Sequence, residues 1–214
     1  MRYLWQIDSE FARAEKNSAP PLMGDTVQAL FWNAVELRKN DVWLRQKELG
    51  IWRAWTWHET GEIVKEIAMG LNALGMQVQD RVSILSNTRV EWMWTDLAVL
   101  SLCGTSAGIY PTDSVSQVQY ILNDSQSRFL FVEDEEQLDK VLEALPELPN
   151  LIKIIVFDDK GLRHFEHPQV LSLQALRQLG AKALALYPHR LESIREGESP
   201  DHLAILVYTS GTTG

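Results

Sequence analysis

Apolar positions along this chain switch repeatedly between helical spacing and short continuous runs, the signature of helices alternating with buried strands. Residues 1–25 stand apart as a polar, partly irregular arm ending in Ala19-Pro20-Pro21-Leu22-Met23-Gly24-Asp25. A helix is expected from about Thr26, with Val27, Leu30, Phe31, Ala34 and Leu37 on one face. Two aromatic-rich runs, Val42 to Lys47 and Ile51 to Trp57, are joined by Lys47-Glu48-Leu49-Gly50 and form a hairpin candidate. Thr56-x-x-Glu59 then has the form of a capping box, opening a helix with Ile63, Val64, Ile67, Leu71 and Leu74 inward. Gly75 sits where a left-handed helix stop is expected.

The alternation continues. A strand over Arg81 to Leu85 precedes a second box, Thr88-x-x-Glu91, and an almost wholly apolar helix through Leu102. Thr105 to Tyr110 reads as a strand, and Ser114-x-x-Gln117 as a third box before a helix carrying Val118, Ile121 and Leu122. A strand over Arg128 to Val132 leads to an acid-started helix at Glu133 to Glu136, with Leu138, Val141, Leu142 and Leu145 inward. Leu151 to Phe157 is a further strand. Residues 158–200 look different: a polar loop, helical material at Leu173 to Leu179, and a helix with Pro188 in its first turn, running to Arg195. Gly197-Glu198-Ser199-Pro200-Asp201 is a turn feeding a last buried strand, Leu203 to Tyr208. Such alternation predicts an α/β fold: a parallel, doubly wound sheet flanked by helices, with a small hairpin near the start.

Composition narrows the partners. The 214 residues include 29 acids and 20 Lys or Arg, a net charge of -9, which argues against a nucleic-acid surface. The single cysteine, Cys103, excludes an intrachain disulfide and is read as packing within an apolar helix rather than as a nucleophile. No stretch approaches the roughly 20 apolar residues of a spanning helix. The expected location is the cytoplasm, with peripheral contact at the inner membrane left open. The 8 tryptophans read as core and hairpin aromatics, with an acyl-chain or membrane surface as the alternative. His164 and His167 lie close in sequence, but a polar loop explains them better than a metal does, and no metal site is expected.

The candidate chemistry lies in Thr209-Ser210-Gly211-Thr212-Thr213-Gly214. Glycines let a backbone approach an anion, successive N–H groups form a nest, and hydroxyls add rotatable donors. The bare hexapeptide fits a turn as well as a phosphate cradle. Its place after a strand in an α/β chain favours the cradle. It lacks the Lys-Ser/Thr ending of a Walker A loop, so P-loop kinase or GTPase chemistry is not supported.

Tyr208 to Gly214 resembles the AMP-binding signature of the acyl-adenylate-forming superfamily, which includes acyl-CoA synthetases, luciferases and peptide-synthetase adenylation domains. The resemblance extends upstream through Trp55-Thr56-Trp57, Gly75, Asp80 to Asn87, Glu91-Trp92, Asp96 to Gly104 and Gly108-Ile109-Tyr110-Pro111-Thr112, and covers residues 25–214. The Ile109 to Ser114 turn, the Phe131 to Asp134 strand end, the Leu151 to Phe157 strand and the Leu171 to Asp201 approach are most similar to bacterial long-chain fatty acyl-CoA synthetases. The resemblance implies an arm, 1–25, and the first αβ subdomain of an AMP-binding domain, 26–214, cut off at its phosphate loop. It implies ATP, Mg²⁺, CoA and a fatty acid as the reactants of a full enzyme. Thr209, Ser210, Gly211, Thr212, Thr213 and Gly214 would contact phosphates, and no catalytic residue is assigned. The family motif continues with a lysine, and its adenine, ribose, Mg²⁺ and hinge elements lie downstream, so the 214 residues alone are expected to be inactive. Another carboxylic acid as substrate, a non-catalytic interaction module, and self-association through an exposed docking face remain alternatives.

Overall fold

The computed structural model describes residues 21–209. Its elements are α1 (Val27–Leu37), β1 (Val42–Glu48), β2 (Ile51–Thr56), α2 (Trp57–Ala73), β3 (Arg81–Leu85), α3 (Val90–Ser101), β4 (Thr105–Ile109), α4 (Val115–Asp124), β5 (Phe129–Val132), α5 (Glu135–Ala144), β6 (Lys153–Val156), β7 (Val170–Ser172), α6 (Leu173–Leu186), α7 (Arg190–Arg195) and β8 (Ile205–Leu206). Strands β3 to β8 form one parallel sheet in the order β7-β6-β5-β3-β4-β8, and β1 and β2 form a separate antiparallel pair.

Side chains alternate across the sheet, so each strand feeds two cores. Val82, Ile84, Phe129, Phe131 and Ile155 pack with α1, α2, α3, α6 and α7 on one face. Leu85, Leu130, Val132, Ile154 and Val156 pack with α4 and α5 on the other. The expected doubly wound α/β architecture is therefore the observed one. Among the described residues no helix is long and apolar enough to cross a membrane.

Local chemistry sets most element ends where the sequence put them. Thr56 accepts from the Glu59 N–H at 3.1 Å while Glu59 accepts from the Thr56 N–H at 2.8 Å, and Ser114 and Gln117 reciprocate likewise. The Thr56 N–H, followed by the Thr56 hydroxyl, donates to the Glu59 carboxyl and lowers its pKa. Gly75 closes α2 at φ 92°, and the two-residue turn Leu49-Gly50 joins β1 to β2 with both residues at positive φ. The hairpin is seated by a Trp43–Trp57 stack at 4.1 Å and by Gln46 Oε1, which accepts from the Val90 N–H.

Several expectations fail for identifiable reasons. Helix α1 is rotated: Gln28, Phe31, Trp32, Ala34 and Val35 are buried, while Val27, Leu30 and Leu37 are exposed. Polar partners set that rotation. Trp32 Nε1 donates to Ser101 Oγ at 2.9 Å and its ring lies under the Arg195 guanidinium; Gln28 bonds both Arg195 and Glu198. Thr88 does not cap α3, whose first residue is Val90; Glu91 instead takes a forked pair from Arg89 at 2.7 and 3.0 Å. Cys103 lies in the turn after α3 at φ 55°, not within the helix, and its buried thiol donates to the Ile194 carbonyl.

Further corrections concern the last fifty residues. The short strand β7 was not foreseen. Helix α6 runs through Gly180 to Leu186, and α2 crosses it at Gly180 without room for a side chain, so that glycine serves the close approach. Pro188 precedes α7 by two residues instead of opening it. The terminal strand is not buried: β8 pairs only with β4 among the described residues, leaving Ile205 47% and Val207 70% exposed.

Candidate active-site crevice at the carboxyl edge of the sheet

The chain leaves β3 through Ser86–Arg89 to reach α3 on one face, whereas β4 and β5 deliver α4 and α5 to the other. Adjacent strands whose exits diverge open a crevice beyond their carboxyl ends, the usual ligand position in such sheets. Its floor here is fastened by one carboxylate. Glu133, at the end of β5, accepts from the Asn87 N–H at 2.7 Å, from Asn87 Nδ2 at 2.9 Å and from Ser86 Oγ at 3.3 Å.

Arg89 stands beside this clasp. Its guanidinium lies 3.6 Å from Glu133, is forked onto Glu91 and faces the Phe157 ring at 5.7 Å. The hydrogen-bonded Glu91 carboxylate, with Glu133 and Asp158 nearby, raises its pKa. Lys160 holds the Asp158 carboxyl below its usual range. Arg89 is thus occupied by protein carboxylates, and a bound phosphate would have to compete with them.

An open groove of about 420 Å³ runs beside the clasp, lined by Asn87, Trp92, Tyr110, Pro111, Val207 and Tyr208 among others. Strand β8 enters it through Ser106–Ile205 and Ala107–Leu206 pairing. Tyr208 then fixes the strand's end by donating to Asp124 Oδ2 at 2.7 Å. Burial, followed by the Asp124 carboxylate, pushes the Tyr208 phenol well above its ordinary pKa.

Of the sequence-predicted phosphate-contacting residues, Thr209 lies at this carboxyl edge and is exposed. Ser210, Gly211, Thr212, Thr213 and Gly214 lie outside the described residues. Among the described residues no group of three or more His, Cys, Asp or Glu side chains could hold a metal ion. His167 stacks on Phe165, and its Nδ1 accepts from the Gln169 N–H. The Glu133 clasp and the Tyr208–Asp124 bond escaped sequence reasoning. An acid placed directly at a strand end was the available signal for Glu133; its partner loop becomes evident only with the strand order.

Comparison with known proteins adds the family. The AMP-binding enzyme model matches residues 31–214. The long-chain-fatty-acid–CoA ligase FadD15 of Mycobacterium bovis is 34% identical over 166 residues, covering 77% of this chain and 26% of that protein. ACSBG1 of Rattus norvegicus, also named a long-chain-fatty-acid–CoA ligase, is 28% identical over 189 residues, covering 88% and 26%. The chain therefore spans about a quarter of the length of these curated relatives. The anthranilate CoA ligase AuaEII, solved with anthranoyl-AMP, superposes with a TM-score of 0.63 at 21% identity over 74% of this chain and 29% of its own, a likeness of fold alone.

Proposed function

This chain belongs to the AMP-binding enzyme family, and we propose that it is the amino-terminal part of a long-chain fatty acid–CoA ligase. The observation that carries this reading is the delivery of β8 to the carboxyl edge beside β4. There Tyr208 is pinned by Asp124 and Thr209 opens a run of hydroxyls and glycines. Residues 1–25 are the arm of this part and residues 26–214 its first αβ subdomain.

The reaction has two displacements. A fatty carboxylate oxygen attacks the α-phosphorus of ATP and pyrophosphate leaves; the thiol of CoA then attacks the acyl carbon and AMP leaves. Negative charge develops on the departing pyrophosphate, and donors placed there lower the barrier. Thr209, Ser210, Thr212 and Thr213 supply hydroxyls for that purpose, while Gly211 and Gly214 let the loop approach the phosphates. Mg²⁺ in such a ligase neutralises phosphate oxygens. Among the described residues no group of three or more His, Cys, Asp or Glu side chains gathers to hold it, so its ligands would be phosphate oxygens, water and at most one or two side chains.

A cytoplasmic ligase in peripheral contact with the membrane that holds its lipid substrate fits this reading. The exposed Leu203, Ile205 and Val207 form a docking face for further parts of the ligase or for a second copy. Pyrophosphate release from ATP with palmitate, acetate and anthranilate as alternative acids tests the assignment. In a ligase of the relatives' length, palmitate should exceed both by more than roughly tenfold, while the 214 residues alone should give no turnover. A preference for acetate or anthranilate would place the chain with a ligase for another acid. Turnover by the 214 residues alone would refute the claim that they need the remainder.

A further inference from the structure

The β1–β2 hairpin ends in a tip whose composition does not serve the hairpin itself. A two-residue turn with both residues at positive φ favours Asn-Gly. Here the first position is Leu49 at φ 47°, a conformation in which leucine is strained. Its side chain is fully exposed. Ile51 and Trp52, next along β2, are 71% and 65% exposed. A side chain built at Gly50 would touch nothing within 4 Å, so the tip stands clear of the body. The base, by contrast, is fixed through Trp43, Trp57 and the Gln46–Val90 hydrogen bond.

Charge identifies what this tip suits. The hairpin carries three cations, Arg45, Lys47 and Arg53, against one acid, Glu48, in a chain of net charge -9. Lys47 Nζ lies 6.0 Å from the Trp52 ring, and Arg53 bridges to Glu48 at 3.2 Å while keeping most of its side chain exposed. Aliphatic and indole side chains ringed by Lys and Arg match the boundary between acyl chains and anionic headgroups. We propose that this tip, Leu49, Ile51 and Trp52 with Lys47 and Arg53 beside them, docks the protein on an anionic lipid bilayer. The inference rests on the peripheral contact proposed above and needs none of the ligase chemistry.

Co-sedimentation of the full chain with phosphatidylcholine vesicles, with and without phosphatidylglycerol, tests it. The wild type should bind the anionic vesicles and release them as salt rises. Leu49→Asn should weaken that binding roughly tenfold, and Trp52→Ala similarly. Because asparagine tolerates the left-handed conformation, Leu49→Asn should resist urea at least as well as the wild type, which separates lost docking from lost folding. If wild type and both variants bind equally, the membrane contact stands and the hairpin's role falls. If the wild type does not bind at all, both fall.

Discussion

The phenolic hydroxyl of Tyr208 donates to Asp124 Oδ2 at 2.7 Å, joining the segment that follows β8 to the carboxyl end of α4. This bond fixes where the chain enters the candidate phosphate loop. Tyr208→Phe should cost about 0.5–1.5 kcal/mol by urea denaturation. The pH dependence has a definite sign. A phenol whose folded-state pKa is raised contributes stability that is complete below the unfolded value near 10 and lost as pH rises beyond it. Stability should therefore decline above about pH 10, and less steeply in Tyr208→Phe.

Glu133 joins the exits of β3 and β5, which deliver helices to opposite faces of the sheet. Glu133→Ala removes the acceptor for Asn87 and a carboxylate beside Arg89. It should destabilise by about 1–2 kcal/mol, with Glu133→Gln losing less because an amide oxygen can still accept. Equal losses would show that the carboxylate charge, not the acceptor position, matters.

Helices α2 and α6 approach at two glycines. A side chain at Gly180 would run into the Glu66 carbonyl, and one at Gly70 into the Leu176 carbonyl. Alanine is the better helix former by about 1 kcal/mol, yet Gly180→Ala should lower stability by about 2 kcal/mol or more because backbone, not a flexible side chain, must move. Thermal or urea unfolding would read this directly, and a stabilised Gly180→Ala would refute it.

Two capping patterns differ only in the structure. Thr56→Ala should cost about 1 kcal/mol, since Thr56 caps α2. Thr88→Ala should stay within about 0.5 kcal/mol, since exposed Thr88 caps nothing and α3 begins at Val90.

Those two threonines show how far sequence carries. Where one local rule governed a position, as at Thr56, Ser114 and Gly75, the element end was readable. Arg81–Leu85 was legible as a strand because its apolar run is buried on both faces. The reading failed where a distant partner decides. The rotation of α1 depends on Glu198 and Arg195, far along the chain, and the helical material expected to Leu179 runs on through Gly180, where α2 crosses closely. At the candidate site the hydroxyl-glycine run was visible in sequence. Glu133 and Asp124 were not, because parallel-strand order sets their neighbours and no periodicity encodes it.

The most direct test is fatty-acid-dependent release of pyrophosphate from ATP, measured with these 214 residues at the head of a polypeptide of the relatives' length. Release should require the fatty acid, leave an acyl-adenylate that hydroxylamine traps, and fall roughly a hundredfold in Thr212→Ala combined with Thr213→Ala. Release of orthophosphate instead, or pyrophosphate release indifferent to the fatty acid and to both substitutions, would contradict the assignment.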